Sequence, residues 1–174
     1  MFVPLAQGAR LISWRLAVDV CMPIPAMKTV AELPFNRLLN LQAAVDSEKL
    51  LQLPAGVQYL NHLGTVHAGA LLALAEASSG EFLLRSLGSM ESLLPVVRRL
   101  EAKFRKPAVG GVNASASVAD GAIDELCAGL ANKGRGLIAV HVELYDDAST
   151  HVLSAVVEWF VARSGQMKQV GDSV

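Results

Sequence analysis

Residues 61–88 read NHLGTVHAGALLALAEASSGEFLLRSLG, and this stretch decides the fold. Its apolar and small residues recur at helical spacing, at Leu71, Leu74, Ala75, Ser78 and Phe82. The first four turns carry two ionisable side chains, His67 and Glu76. A helix that is apolar on every side is a buried helix, and Gly88 is a common helix stop. The pattern therefore predicts a long, buried central helix over 66–87.

The chain outside this helix alternates between apolar and polar residues with the period of β-strands. A short helix over 33–41, with Leu38, Leu39 and Leu41 inward, comes before a strand over 42–51 and a second apolar-polar stretch through Val57 and Tyr59. Strands also follow the helix, near 100–105, 112–118, 138–145 and 152–162, separated by turns at 107–111, 120–136 and 146–147. This order predicts an α+β fold in which an antiparallel sheet curls around one central helix.

Composition limits the class of protein. The 174 residues suit one domain, and 52% hydrophobic against 18% charged residues excludes a disordered chain. So apolar a chain is expected to hide further surface in an oligomer interface or a ligand tunnel. Fifteen basic and sixteen acidic residues give a net charge of −1, so no basic field is available to attract nucleic acid.

Neither the cysteines nor the apolar stretches indicate secretion or a membrane. Cys21 and Cys127 have no motif spacing, which favours two reduced core thiols and excludes a disulfide scaffold or a zinc site. The stretch 50–75 lacks charges but is interrupted by polar residues, so no membrane span is expected. Arg10 and Arg15 interrupt the stretch that would have to be apolar in a signal peptide. We therefore expect a cytoplasmic protein.

The start of the central helix is the candidate site. His67, Ala68 and Gly69 lie at the helix N-terminus, where free backbone N–H groups and the positive dipole end favour an oxyanion. Asn61 lies six residues before His67, and Glu76 lies nine residues after it. Ala73, Ser79 and Gly80 lie about one turn from Glu76, and with Gly69 they make a face of small side chains. Such a face lets a substrate or a second chain approach the carboxylate closely.

This arrangement of Asn61, His67, Gly69 and Glu76 resembles the signature of the PaaI-like hotdog-fold acyl-CoA thioesterases. The segment KFRKPAVGG at 103–111 is similar to a strand turn of that superfamily, and the resemblance covers about residues 33–163. It implies a hotdog fold, with an antiparallel sheet wrapped around the central helix. It also implies a homodimer or a dimer of dimers, in which the helix acid of one chain faces the Asn and His of the other.

The resemblance also implies roles in hydrolysing an acyl-CoA thioester. Glu76 would be general base or nucleophile, and the N–H of Ala68 or Gly69 would polarise the carbonyl. Asn61 would orient water or substrate, and His67 would support the thioester end. The family has glycine at the position of Ala68; a backbone donor survives this change, although a methyl group narrows the pocket or shifts the helix start. No metal or separate cofactor is expected, because coenzyme A is part of the substrate.

Each of these residues has a structural alternative. Glu76 is instead a buried acid paired with Arg85 or Arg98, His67 a helix cap, and Asn61 a plain turn residue. Ser78 and Ser79 are not expected to act as nucleophiles, and His141 and His151 are expected on strands or at the surface. For the whole protein, the main alternative is a non-catalytic module that binds acyl-CoA; a hydratase is less favoured, because no Asp-to-His pair stands at its expected place.

The remaining predictions concern coenzyme A and the domain limits. Five residues are candidates for the CoA site: Lys103, Arg105, Lys106, Gly110 and Gly111. The three cations are equally compatible with a solvated strand face. We divide the chain into an N-terminal extension over 1–32, a hotdog domain over 33–163 and a tail over 164–174.

Overall fold

A six-stranded antiparallel sheet and three helices make up the part of the chain described by the computed structural model, residues 28–164. The predictions about residues 1–26, about Cys21 and about the tail after Ser164 lie outside the described residues. The elements are α1 Pro34–Leu38, β1 Gln42–Ala43, β2 Leu51–Leu53, α2 Ala68–Leu87, β3 Leu93–Phe104, β4 Val112–Ser117, α3 Ala122–Lys133, β5 Arg135–Asp146 and β6 His151–Arg163.

The sheet has the strand order β1-β2-β4-β5-β6-β3, and every neighbouring pair is antiparallel. The alternation predicted for β5 is confirmed, since one side of the strand is buried at Ile138, Val140, Val142 and Leu144. Burial of such a row on a half-covered sheet is what period-two alternation encodes. The edges of the described sheet are β1 and β3, and Phe104 at the end of β3 is 49% exposed.

The central helix α2 packs across this sheet against β2, β4 and β5. It begins at Ala68 and ends at Leu87, where Gly88, at φ +73°, donates its N–H to the Leu84 carbonyl. Leu71, Leu74 and Ala75 are buried against the strands. The α+β hotdog fold predicted from the sequence is therefore confirmed.

The helix is not covered on every side, contrary to the prediction of burial all round. Gly69 is exposed, and Leu72, Ala73 and Glu76 are only half-buried. The second half of the same small-residue face is closed, because Trp159 of β6 donates its indole N–H to Ser79 Oγ at 2.9 Å. The strip of α2 open to another molecule therefore runs from the helix start to Glu76.

The region 120–136, predicted as a connection, contains helix α3, and the prediction was wrong there. Apolar residues at helical spacing pack it on the sheet, at Ile123, Leu126 and Leu130. Gly134, at φ +66°, ends the helix in the left-handed conformation that glycine adopts without strain. Cys127 on α3 is a free thiol but exposed, so it is not the core residue expected.

Three smaller predictions before α2 also need correction. The strand predicted over 42–51 is split into β1 and β2, because Asp46 Oδ1 accepts the N–H of Glu48 and closes a turn between them. Leu38 is 78% exposed, although Leu41 is buried as expected. The stretch through Val57–Tyr59 is a 3-10 turn, in which Tyr59 is buried.

A buried acid that the sequence analysis did not single out fixes the start of the described chain to α2. Glu81 is 3% exposed and accepts hydrogen bonds from Thr29 Oγ1 at 2.9 Å and Val30 N at 2.8 Å. Its other oxygen accepts the Arg85 Nε–H at 3.0 Å. A buried carboxylate is stable only when paired in this way, so residues 29–32, which fall in the predicted extension, pack against the central helix.

Candidate active site at the start of the central helix

The loop before α2 is held together by Asn61. Its side-chain oxygen accepts the N–H groups of Leu63 at 2.9 Å and Thr65 at 3.2 Å, and its Nδ2 donates to Thr65 Oγ1 at 3.0 Å. This is an Asx-type turn, in which the side chain replaces a backbone partner. The turn-residue alternative thus describes the Asn61 contacts, although Asn61 also lines the cleft described below.

His67 is the N-cap of α2. Its Nδ1 accepts the backbone N–H of Gly69 at 2.9 Å, which assigns the ring proton to Nε2. The loop strand is anchored on both sides of this cap, by Val66 N to the Ala108 carbonyl at 2.9 Å and by His67 N to the Tyr59 carbonyl at 2.7 Å. The structure therefore contains the cap that was the alternative for His67, with Nε2 left exposed.

Ala68 carries the free donor at this helix end. Because His67 takes the Gly69 N–H, the two candidate N–H groups are no longer equivalent. The N–H of Ala68 has no acceptor among residues 28–164, and Ala68 is exposed. An unpaired N–H at the positive end of a 20-residue helix is suited to bind an oxyanion.

A cleft of about 340 Å³ opens in front of this donor. It is bounded by the loop, the start of α2 and the end of β3, and its lining residues are Asn61, Leu63, Thr65, Val66, Ala68, Leu71, Phe104, Arg105, Lys106, Pro107 and Ala108. The two charged residues among these, Arg105 and Lys106, are both basic. The structure thus brings four predicted site residues together in one cationic cleft.

Three predicted CoA residues do not line the cleft. Lys103 is exposed on β3. Gly111 donates its N–H to Asp147 Oδ2 at 2.6 Å, and a Cβ on Gly110, at φ +79°, would lie 2.7 Å from the same oxygen. The contacts of the two glycines are therefore those of a tight turn held by Asp147.

Sequence reasoning missed a cluster behind Arg105. Ser154 Oγ accepts from Arg105 Nε at 3.1 Å and Nη2 at 3.0 Å, and it donates to Glu143 Oε2 at 2.7 Å. His151 Nε2 hydrogen-bonds the same Glu143 oxygen. Pairing of β5 with β6 brings these side chains together, and no local spacing indicates it.

Glu76 lies on the open strip of α2, outside the cleft lining. Burial raises the pKa of its carboxyl above the ordinary value of 4.5, the direction expected for an acid on an apolar helix. Among the described residues no side chain hydrogen-bonds or pairs with this carboxylate. The alternative of a structural ion pair is wrong for both named partners, since Arg85 binds Glu81 and Arg98 binds Glu158.

Glu76 and Ala68 of one chain are well separated along the helix. Glu76 lies eight residues further along α2, which is about 12 Å along the helix axis. A glutamate side chain spans less than half of that distance.

Neither a membrane-spanning helix nor a metal site is found in the part of the chain that the structure describes. No helix there is long and apolar enough to cross a bilayer. Nor does residue range 28–164 hold three His, Cys, Asp or Glu side chains placed to bind a metal.

Comparison with known proteins assigns both a family and a fold. The family model described as a domain of unknown function, DUF4442, matches residues 20–161. A Pseudomonas aeruginosa protein, described as a probable thioesterase of unknown function, is 26% identical over 82% of this chain and 98% of its own, with a TM-score of 0.64. No curated protein has significant sequence similarity to the chain.

Two further solved structures share the fold. A Bacillus halodurans protein crystallised with CoA is 24% identical, covering 64% of this chain and 69% of that one, with a TM-score of 0.51. A Staphylococcus aureus thioesterase is 15% identical, covering 74% and 98% of the two chains, with a TM-score of 0.56. The latter has been crystallised with a glutamine and, separately, with a glutamate fifteen positions further on replaced by alanine.

Proposed function

The chain belongs to the DUF4442 family, and on that premise we propose that it hydrolyses an acyl-CoA thioester to the free acid and coenzyme A. The proposal is supported by hotdog proteins of similar structure that are described as thioesterases, and by the one crystallised with CoA. Because a fold hosts many activities, the activity is inferred from the residues at the start of α2.

The observation that carries the proposal is the N–H of Ala68, which has no acceptor among residues 28–164 and belongs to a helix N-terminus that lines a cationic cleft. In thioester hydrolysis, negative charge develops on the carbonyl oxygen, and a fixed backbone donor stabilises it more in the transition state than in the ground state. Arg105 and Lys106 supply the positive charge that the phosphates of CoA need. The Ala68 N–H therefore suits the thioester end of an acyl-CoA, and Arg105 and Lys106 suit its phosphates.

Glu76 is the proposed acid-base group or nucleophile. Its carboxylate either removes a proton from the attacking water or itself attacks the carbonyl carbon to form an anhydride that water then opens. In both cases the C–S bond breaks, the electron pair leaves with sulfur, and the thiolate takes up a proton as coenzyme A. Both routes need Glu76 ionised, with no salt bridge competing for it.

The separation of about 12 Å between Glu76 and Ala68 along α2 favours a site built from two chains. We propose a homodimer in which Glu76 of one protomer faces the Ala68 cleft of its partner. The open strip of α2, with Leu72 and Ala73 half-buried, is the surface that the partner covers. Dimers of this dimer are compatible with the same contact.

A spacing in a relative agrees with this assignment. The glutamine and glutamate replaced in the Staphylococcus aureus protein are fifteen residues apart, and so are Asn61 and Glu76. We propose that Asn61, whose side chain holds the loop together, borders the bound substrate from its place in the cleft lining.

The test begins with the donor. Ala68→Pro deletes the N–H but leaves the helix intact, because proline is favoured at the first helical position and His67 already has the extended ψ of 137° that a following proline requires. Ala68→Gly is the matched control, which keeps the donor. Free-thiol release from a panel of acyl-CoAs should fall by about 10²–10³-fold in Ala68→Pro alone. Equal turnover in the two variants would exclude this oxyanion site.

Co-expression tests the two-chain site. Glu76→Gln is expected to lower turnover by about 10²–10⁴-fold on its own. If each site combines Glu76 of one chain with Ala68 of the other, random pairing of this variant with Ala68→Pro restores about one quarter of wild-type activity, because half of the dimers hold one intact site of two. No recovery in verified mixed dimers would show that each site belongs to a single chain.

One observation favours a non-catalytic acyl-CoA-binding module as the second candidate. All hydrogen bonds of the Asn61 side chain within the described residues are made inside its own loop, with Leu63 and Thr65. A binding module would retain acyl-CoA without releasing thiol, and Glu76→Gln would leave its affinity unchanged.

A further inference from the structure

We propose that Ser154 and Glu143 are positioning residues that hold the Arg105 guanidinium in one orientation, ready to bind a phosphate of coenzyme A. This inference rests on the proposed function, since it assigns the anion that the cleft receives. It adds two residues on the strands behind the cleft, neither of which lines it.

Ser154 holds Arg105 through its side-chain hydroxyl. One hydroxyl oxygen accepts two N–H groups of Arg105, from Nε at 3.1 Å and from Nη2 at 3.0 Å. An arginine has five N–H donors in a rigid plane, so three of them remain free after these contacts. Fixing the plane at one edge leaves the other edge for the paired N–H···O bonds that guanidinium makes with phosphate.

The Ser154 hydroxyl directs its proton to Glu143 and not to Arg105. Its proton goes to Glu143 Oε2 at 2.7 Å, which leaves the oxygen lone pairs for Arg105. His151 Nε2 donates to the same carboxylate oxygen and holds it in place. Tyr145 stacks on the imidazole of His151 with 5.0 Å between ring centroids, so the imidazole that binds the carboxylate is itself held in place.

The same geometry excludes a serine-hydrolase triad. In such a triad the serine and the acid bind opposite nitrogens of the histidine. Here Ser154 and Glu143 both lie at Nε2 of His151, at 3.1 Å for the hydroxyl, and the hydroxyl proton is directed to the acid. The cluster therefore orients a neighbour and does not generate a nucleophile.

Orienting Arg105 before the ligand arrives favours phosphate binding. Arg105 is exposed, and ordering a long free arginine costs side-chain entropy on binding. A guanidinium already held by Ser154 has lost that freedom before the ligand arrives, so binding is tighter. Lys106 offers a positive charge in the same cleft, but no described side chain fixes its ammonium group.

The experiment compares two substrates with the same acyl group, acyl-CoA and acyl-pantetheine, which lacks every phosphate. Ser154→Ala should raise KM for acyl-CoA about three- to tenfold, the effect of losing one typical hydrogen bond. It should leave kcat, and both constants for acyl-pantetheine, unchanged. Ser154→Thr keeps the hydroxyl and should restore KM, whereas Glu143→Gln, which weakens the acceptor of that hydroxyl, should raise it partway.

Arg105→Ala is the reference variant, and thermal unfolding checks that all four variants fold. If Arg105→Ala raises KM for acyl-CoA but Ser154→Ala does not, the positioning role of Ser154 is wrong, although Arg105 still binds phosphate. An equal increase for acyl-pantetheine would also overturn the proposal. If the wild type hydrolyses neither substrate, the proposed function fails, and the same contrast in Kd for CoA against pantetheine decides the role of Ser154.

Discussion

The imidazole of His67 accepts the backbone N–H of Gly69 at 2.9 Å, and this single contact selects the donor of the candidate site. Two adjacent N–H groups begin the helix; the cap takes one and leaves the other, that of Ala68. His67, which was predicted to support the thioester end of the substrate, thus acts as the cap of α2.

The first prediction concerns this cap. His67→Asn keeps a side-chain acceptor at the N-cap, whereas His67→Ala removes it and should lower the free energy of unfolding by about 0.5–2 kcal/mol. Turnover of the asparagine variant should remain close to that of the wild type. Chemical denaturation and steady-state assays check the pair; a large loss of kcat in His67→Asn would instead give the imidazole a direct part in the reaction.

The second prediction concerns Glu76 and pH. Because burial raises its pKa in the folded state, folding is penalised when the carboxyl is ionised, and the penalty disappears once pH falls below the unfolded value. Glu76→Gln should therefore melt at a higher temperature than the wild type at pH 7.5, and the difference should vanish near about pH 4. Exposed Glu91→Gln is the control. Under the proposed function, the acid limb of the wild-type rate profile has its midpoint above 4.5; a midpoint at or below that value contradicts the assignment.

The third prediction compares two helical glycines. A Cβ on Gly80 would meet Trp159 Cη2 at an ordinary 3.6 Å, so Gly80→Ala should stabilise the protein by about 0.5–1 kcal/mol through helix propensity. A Cβ on Gly129 of α3 would lie 2.9 Å from the Arg135 carbonyl oxygen, so Gly129→Ala should destabilise by about 1–3 kcal/mol. Thermal unfolding of both variants decides. A stabilising Gly129→Ala would show that the backbone of α3 moves away easily, and a destabilising Gly80→Ala would contradict the argument from helix propensity.

The fourth prediction concerns the start of the chain. A chain that begins at Met27 keeps Thr29 and Val30, and it should fold and retain any activity. One that begins at Leu33 deprives buried Glu81 of two hydrogen bonds and should lose about 2–4 kcal/mol of stability. Denaturation midpoints of the two chains test this. A Met27 chain that fails to fold would assign a core role to Leu11, Ile12 and Trp14.

Local pattern was enough for the elements that are strongly periodic. The helix from Ala68 to Leu87, its stop at Gly88 and the alternation of β5 follow from residues close in sequence, because a helix turn and a strand pleat involve neighbours only. The same reasoning identified Ala68, Arg105 and Lys106 as candidates near one site. It failed for α3, whose apolar residues are interrupted by Gly129 and by polar positions.

Tertiary structure alone decided how those candidates are used. Arg105 meets Ser154 across 49 positions, and Trp159 reaches Ser79 across 80, because strand register brings them together. Whether the Ala68 or the Gly69 N–H is free depends on one imidazole rotamer, which spacing does not encode. The sequence therefore determined the central helix and the residue types at its start, whereas long-range packing determined which acid is buried for structure and which arginine is held.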